Sequence, residues 1–389
     1  MCLLTRRDFS RTLAAATASL AGYSAEVLPP IRAITRGPKF HWFAYYDKLQ
    51  FDPSSRYALG MEVGFEHRSP KPDDEITVGI IDTEDGDQWK PLGTTRAWNW
   101  QQGAMLQWIP SSKTDVIWND RKDNQFVSII KNVRTGKERL IPAPIYCLSP
   151  DGKTALYPDF RRLNDCRPGY GYAGIPDPNL NRLTPDDVGI WKLDLQSGKS
   201  SLIISIADIV KVANPVPPPK MLGIGDSWSD YWKTAKHWFN HLLVSPDGKR
   251  FIFLHRWRGE VEGKSFSTRL FTADLNGKNL HVLDPYGRTS HFVWRDPQTV
   301  TAWAWHPSHS QRFYHYTDRT DKVEVVGKDV MTENGHNTFL RKNRWILNDT
   351  YPDKQRLQHP YLYEVTTERK VPLGHFLSPA EYVGEWRCD

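Results

Sequence analysis

Two groups of side chains in this sequence are of the kinds that do chemistry, and they fall in different halves of the chain. Histidine is scarce at first: after His41 and His67 none occurs until His237, and the rest of the 13 follow. His237 and His241 in His237-Trp-Phe-Asn-His241, His291 in Ser290-His291-Phe292, and His336 in Asn334-Gly-His336-Asn337 share a placement. Each lies a few residues ahead of a turn. If the segments that carry them converge, these imidazoles meet in one pocket and form a site for a divalent metal, Zn or Mn. The other reading is a set of inner-strand histidines that hydrogen-bond across a channel, since an i, i+4 pair on a strand says only that both share a face. The second group has amides, a phenol and guanidinium groups: Asn99, Gln101, Gln102, Arg121, Tyr146 and Arg162. Such a set suits β-elimination from a uronic acid. Amides or Arg hold the carboxylate and stabilise the enolate-like intermediate, and Tyr moves a proton. A free phenol has a pKa of about 10, so Tyr146 needs a nearby positive charge to act as a base. Otherwise the amides cap strand edges and Arg162 pairs with Asp159 or Asp165. His41, beside Tyr45-Tyr46-Asp47, either lines the same pocket or locks the first unit.

A recurring phrase indicates what would bring these residues together. An apolar residue, a Ser/Asp-Pro-Asp-Gly-Lys-like turn and a strand-like run appear at 51–59, 148–156 and 244–253, with looser copies at 108–118, 294–303 and 339–347. Hairpin signals follow each copy, as in Leu193-Asp-Leu-Gln-Ser-Gly-Lys199 and Ala273-Asp-Leu-Asn-Gly-Lys278. A repeat of roughly 40–50 residues with a tight turn between strands is the pattern of a β-propeller, which gathers the innermost strands of all blades around one axis. Six units are expected, at 38–92, 95–141, 143–204, 236–284, 287–327 and 334–373. The chain then runs on to Tyr382-Val-Gly-Glu-Trp-Arg-Cys-Asp389, which reads as the start of another unit. The expected fold is therefore all-β, a seven-bladed β-propeller with an incomplete last blade, in which 31–39 pairs near 381–387. Two insertions interrupt the units, at 161–187 and 212–236, and their aromatic content favours a functional role.

Composition sets bounds. With 16 Trp, 16 Tyr and 16 Phe the apolar material is unusually aromatic, which suits blade packing and equally suits stacking on sugars. A formal charge of +6, from 51 basic and 45 acidic residues mixed throughout, offers no basic stripe for nucleic acid. Thr5-Arg6-Arg7-Asp8-Phe9 precedes a short, weakly apolar stretch and a small-residue segment, Ala21-Gly-Tyr-Ser-Ala25. This reads as a twin-arginine export signal over 1–25, cleaved to leave a single propeller domain at 26–389 in the periplasm or outside the cell. No transmembrane segment is expected. Cys2 would leave with the signal. The remaining Cys147, Cys166 and Cys388 do not describe a disulfide framework, although a bridge between Cys147 and Cys166 is one option.

The longer strings Trp42-Phe-Ala-Tyr-Tyr-Asp-Lys48, Trp98-Asn-Trp-Gln-Gln-Gly103, Tyr146-Cys-Leu-Ser-Pro-Asp-Gly152 through Phe160-Arg-Arg-Leu163, Phe239-Asn-His241, Ser290-His-Phe-Val-Trp-Arg-Asp296 and Asn348-Asp-Thr-Tyr-Pro-Asp353 carry a resemblance. Over residues 38–389 the chain resembles bacterial secreted β-propeller polysaccharide lyases, especially ulvan lyases and, more distantly, oligogalacturonate lyases. The resemblance implies that Tyr146 is the catalytic Tyr and Arg162, sixteen residues on, neutralises the substrate carboxylate. It also implies histidines in the preceding blades, whereas the stretch 68–236 of this chain has none. The expected function is a lyase acting on an acidic, uronate-containing polysaccharide, including sulfated ones. Asn99, Gln101, Gln102, Arg121 and His41 would contact substrate, and His237, His241, His291 and His336 would hold the metal. The alternative is a carbohydrate-binding or scaffold propeller without catalysis.

Overall fold

The computed structural model describes residues 27–214, 234–259 and 263–387. The export signal, Cys2, Cys388 and most of the second insertion, with Trp228, Tyr231 and Trp232, lie outside the described residues. Residues from Arg32 onward form one compact unit. Among the described residues no helix is long and apolar enough to cross a membrane.

The unit is a β-propeller of six four-stranded antiparallel sheets. Blade 1 spans residues 40–95, blade 2 107–141, blade 3 147–205, blade 4 236–287, blade 5 289–326 and blade 6 337–372. These are the six repeat units read from the sequence, with boundaries within a few residues except that the second blade starts 12 residues later than expected, at 107 rather than 95. The turn phrase explains why. In Ser149-Pro-Asp-Gly152 the Ser149 hydroxyl bonds Asp151 at 2.5 Å and accepts from Thr154 N–H at 3.0 Å, while Gly152 N–H donates to Ser149 O at 2.9 Å. Gly152 has a φ of +67°, the left-handed conformation that glycine adopts without cost. The turn at Ser245–Arg250 repeats these bonds. Each such turn joins the innermost strand of a blade to the next, so strand register is set locally.

The expected seventh blade is not formed among the described residues. Every four-stranded sheet comes from one contiguous segment, and the remaining pairing is a short ribbon, Leu357–Gln358 with Phe376–Leu377. Nor do 31–39 and 381–387 pair. Arg32 bonds Asp87 and Thr83 O, and Lys39 bonds Glu62, all in blade 1. The tail instead bonds Gln101 and Glu66 through Glu385 O and the Tyr382 hydroxyl. A blade needs three hairpins, and after Pro372 the described residues supply only one strand of that ribbon, Phe376–Leu377, and a single helical turn, Gly384–Trp386.

Buried apolar clusters fill the junctions between blades 1 and 2, 2 and 3, 3 and 4, 4 and 5, and 5 and 6. Among the described residues no such cluster joins blade 6 to blade 1. The insertion after blade 3's second strand begins with a helix, Phe160–Cys166, capped by Asp159, whose carboxylate accepts from Arg161 and Arg162 N–H. Gly171 lets the following loop fold back on this helix, since a Cβ there would lie 2.1 Å from Asn164 N. Cys147 and Cys166 are both free thiols. One is on an inner strand and the other ends the helix, so no bridge links them.

Candidate functional site at the propeller axis

Residues 43–48, following the first strand of blade 1, cross the middle of the ring. The Tyr46 hydroxyl donates to Phe292 O of blade 5 at 2.9 Å, and Thr338 of blade 6 donates to Tyr46 O at 3.3 Å. Asp47 reaches His241 of blade 4, and the Lys48 ammonium lies 4.6 Å from the centre of the Tyr146 ring, beside blade 3. One short segment thus touches four blades.

Two of the histidines are aimed by the same device. The innermost strands of blades 4 and 5 each slip register at a histidine, between Asn240 and Leu242 and between Ser290 and Phe292, and the blade 5 strand slips again between Trp294 and Asp296. The residues displaced are His241 and His291, with φ of +51° and +29°. Non-glycine residues rarely adopt this backbone, and bulges of this kind re-aim a side chain. Here they turn both imidazoles to the axial pocket, which is also lined by Tyr45, Arg167, Tyr170, Arg256 and Tyr351.

His241 Nε2 stands 3.4 Å from Asp47 Oδ2, within ion-pair reach but not aligned as a hydrogen bond, and its ring stacks on Phe292. Asp47 Oδ2 also bonds Lys48 Nζ at 2.9 Å. Burial would raise the Asp47 pKa, but the Lys48 ammonium and His241 together hold it well below the usual carboxylate range. Burial lowers the His241 pKa, and Asp47 offsets only part of that shift, so the imidazole is neutral at pH 7. His291 is likewise held well down by burial and by His336.

The most unusual groups in the pocket are two guanidiniums. Arg256 is 6% exposed, and its one hydrogen bond goes to the Thr268 hydroxyl at 3.3 Å. Arg167 stacks on Tyr170, and its Nε and Nη1 are buried with no hydrogen-bond partner. Both guanidinium carbons lie over Phe266, 4.4 and 4.6 Å from the ring centre. Among the described residues neither forms an ion pair. Burial and then the charge of Arg167 pull the Arg256 pKa down to about 9. Buried charges are normally paired, and a planar fork left open matches a carboxylate.

The sequence-derived residues divide between this pocket and its supports. His241, His291 and His336 are grouped, with the His291 and His336 rings 4.1 Å apart. His237 is elsewhere: its Nδ1 meets His255 Nε2 at 3.0 Å, on the neighbouring strand. His291 and His336 have their own partners, Asn334 and Asp349. The expected four-histidine metal site is therefore not formed. Among the described residues no group of three or more His, Cys, Asp or Glu is arranged to hold a metal ion. His237 shares its strand face with His241 only up to the bulge.

Arg162 is 1% exposed and fully engaged, bonding His237 O, Asn179 O, Leu183 O and Asp177. It pins the insertion to blade 4. Tyr146 is buried and its hydroxyl accepts from Gln102 at 2.7 Å. Burial, and then the Asp47 carboxylate, push its pKa well above 10, the opposite of what a base requires. Asn99 accepts from Gln102 N–H, and Gln101 bonds Glu385 O and Tyr170. Arg121 bonds Pro72 O and Ala173 O, which ties blade 1 to the insertion, and His41 pairs with Glu62.

Sequence reading placed the Tyr45-Tyr46-Asp47 segment near the pocket without giving Asp47 a role, and it assigned no role to Arg167, Arg256, Lys48 or Tyr351. Arg256 left a signal, as a charge inside the apolar run Phe251–Trp257, and Arg167 and Tyr170 sit in the insertion already marked by its aromatics.

Six four-stranded sheets in a ring around an axial pocket place the chain among β-propellers. No family model matches it, and no curated protein matches it. Among solved structures it is similar to an oligogalacturonate lyase in complex with manganese, with a TM-score of 0.59 at 12% identity over 87% of this chain and 78% of that one. It also matches TolB from Acinetobacter baumannii, with a TM-score of 0.41 at 13% identity over 80% of this chain and 62% of that one. At such identities the first likeness supports the propeller fold.

Proposed function

We propose that this chain is a lyase that cleaves a uronate-containing saccharide by β-elimination at the propeller axis. The observation that carries the reading is the pair of buried guanidiniums, Arg167 and Arg256, with no carboxylate partner, beside a neutral imidazole backed by Asp47. The arginines take the uronate carboxylate and disperse the negative charge that grows on it as the adjacent C–H bond breaks. His241 accepts that proton. The C–O bond to the leaving sugar then breaks as the C=C bond forms, and the Tyr45 hydroxyl, in edge contact with His241, protonates the leaving oxygen. Burial, and then Tyr170, keep Tyr45 protonated as this role requires. Tyr146, Gln102 and Lys48 form the layer behind Asp47. The oligogalacturonate lyase shares the propeller fold, and the resemblance to ulvan lyases agrees with β-elimination but not with the roles it implied for Tyr146 and Arg162; no step in this reading runs through a metal.

The test is incubation with a panel of uronate polymers (pectate, alginate, glucuronan and ulvan) while the ultraviolet band of the unsaturated uronate is followed. One observation favours the non-catalytic alternative. The axial pocket is only about 30 Å³, far below the range of about 300–1,000 Å³ usual for ligand sites, so no sugar ring fits inside it. Saturable binding without the unsaturated product on any polymer would establish that alternative.

A further inference from the structure

The junction where blade 6 meets blade 1, which lacks an apolar cluster, holds a cleft of about 460 Å³. That volume falls within the range of about 300–1,000 Å³ usual for ligand sites and leaves room for more than one sugar ring. Its walls are largely aromatic: Trp42, Phe43 and Trp100 on one side, Tyr382 and Trp386 of the tail on the other. The inner end is closed by Tyr45, which also lines the axial pocket, so cleft and pocket share a wall.

We infer that this cleft is a saccharide groove that holds the sugar units flanking the one whose carboxylate enters the axial pocket. The inference rests on the proposed lyase reading for its inner end, and on the cleft itself for the rest. Aromatic rings present flat apolar faces of the kind a pyranose stacks on, and they lose little entropy in doing so. Gln101 at the inner end and Glu66 at the tail supply polar groups, and both already fix the tail in place. A cleft of about 410 Å³ also lies between blades 1 and 2, but none of its lining residues reaches the axial pocket; the cleft that shares Tyr45 with that pocket is the one an extended saccharide anchored at the axis would occupy.

Length dependence tests it. Binding of each polymer in the panel, as monosaccharide and as oligosaccharides of increasing length, is measured by calorimetry on the full chain. Wild-type protein should bind oligosaccharides at least about tenfold more tightly than the monosaccharide. Trp386→Ala should remove that gain while leaving monosaccharide affinity unchanged, and Trp386→Phe, which keeps a ring, should restore most of it. A melting curve matching wild type shows that the variant is folded. No dependence on length in the wild type, or an equal loss for monosaccharide and oligosaccharide in Trp386→Ala, would overturn the groove. Length-dependent binding with no unsaturated product from any polymer would sink the lyase reading and leave the groove standing.

Discussion

Replacing Arg256 with methionine should destroy the anion site and make the protein more stable. The guanidinium is 6% exposed, and its pKa falls from 12.5 to about 9, chiefly through burial. Each unit of such a shift corresponds to about 1.36 kcal/mol, so the charged form costs the fold up to about 5 kcal/mol at neutral pH. Methionine retains the apolar stem and removes that cost. It also forfeits the bond to Thr268, about 1 kcal/mol, and the contact with Phe266, about 1–2 kcal/mol. The net gain is about 2 kcal/mol, which raises Tm by a few degrees in a chain of this length. The pH dependence gives a sharper check. Below pH 9 both folded and unfolded states carry the charge and the penalty is complete; between about 9 and 12.5 the unfolded chain binds the extra proton, and wild-type stability recovers. The advantage of Arg256→Met should therefore shrink as melts move from pH 7 to pH 10.5. Activity should fall at least about 100-fold, since two charge-assisted bonds to substrate are lost, and a uronate that raises the wild-type Tm should leave that of the variant unchanged. A variant that melts several degrees lower at pH 7, or is still stabilised by uronate, would refute the unpaired-charge reasoning.

Other expectations follow from the same geometry. In Asp47→Asn, His241 loses the carboxylate that props up its pKa, so the acid limb of kcat/KM, where the base becomes protonated, should move to lower pH; an unmoved limb would exclude Asp47 as the residue that positions His241. Tyr146→Phe should retain most turnover and lose about 1–3 kcal/mol of stability by leaving the Gln102 amide without its partner; abolished turnover in a folded variant would return the proton-transfer role to Tyr146. Arg162→Ala should lose about 3–5 kcal/mol, because Asp177 is left as an unpaired buried charge, and limited proteolysis should then cut within 161–187; a variant of wild-type stability would show that the insertion is held by other contacts.

The fold was largely legible because its instructions are local. The Ser-Pro-Asp-Gly turns close through bonds among five or six consecutive residues, so their spacing marks the blades before any tertiary contact is known. Ring closure is not local. Whether a tail becomes a blade depends on hairpins it must form with itself, and among the described residues after Pro372 the one strand, Phe376–Leu377, pairs back with Leu357–Gln358 instead. The site was half legible for a related reason. His241, His291 and His336 could be placed on inner strands by their distance from the turns, but their aim depends on bulges at His241 and His291 that no spacing announces. His237, four residues before His241, would have pointed the same way on a regular strand.

Tyr146 and Arg162 show the opposite case, in which spacing matches a catalytic pattern and the surroundings change the outcome. A guanidinium acts on substrate only if its N–H groups are unspent, and Arg162 spends them on His237 O, Asn179 O, Leu183 O and Asp177. The same insertion that consumes Arg162 delivers Arg167 to the axis, because the capped helix Phe160–Cys166 ends one residue before it. Arg256 arrives on the second strand of blade 4, Arg250–Arg258, which is buried along almost its whole length. A strand buried on both faces gains nothing in stability from a charged residue without a counter-ion. An anion entering the axial pocket would complete the pair.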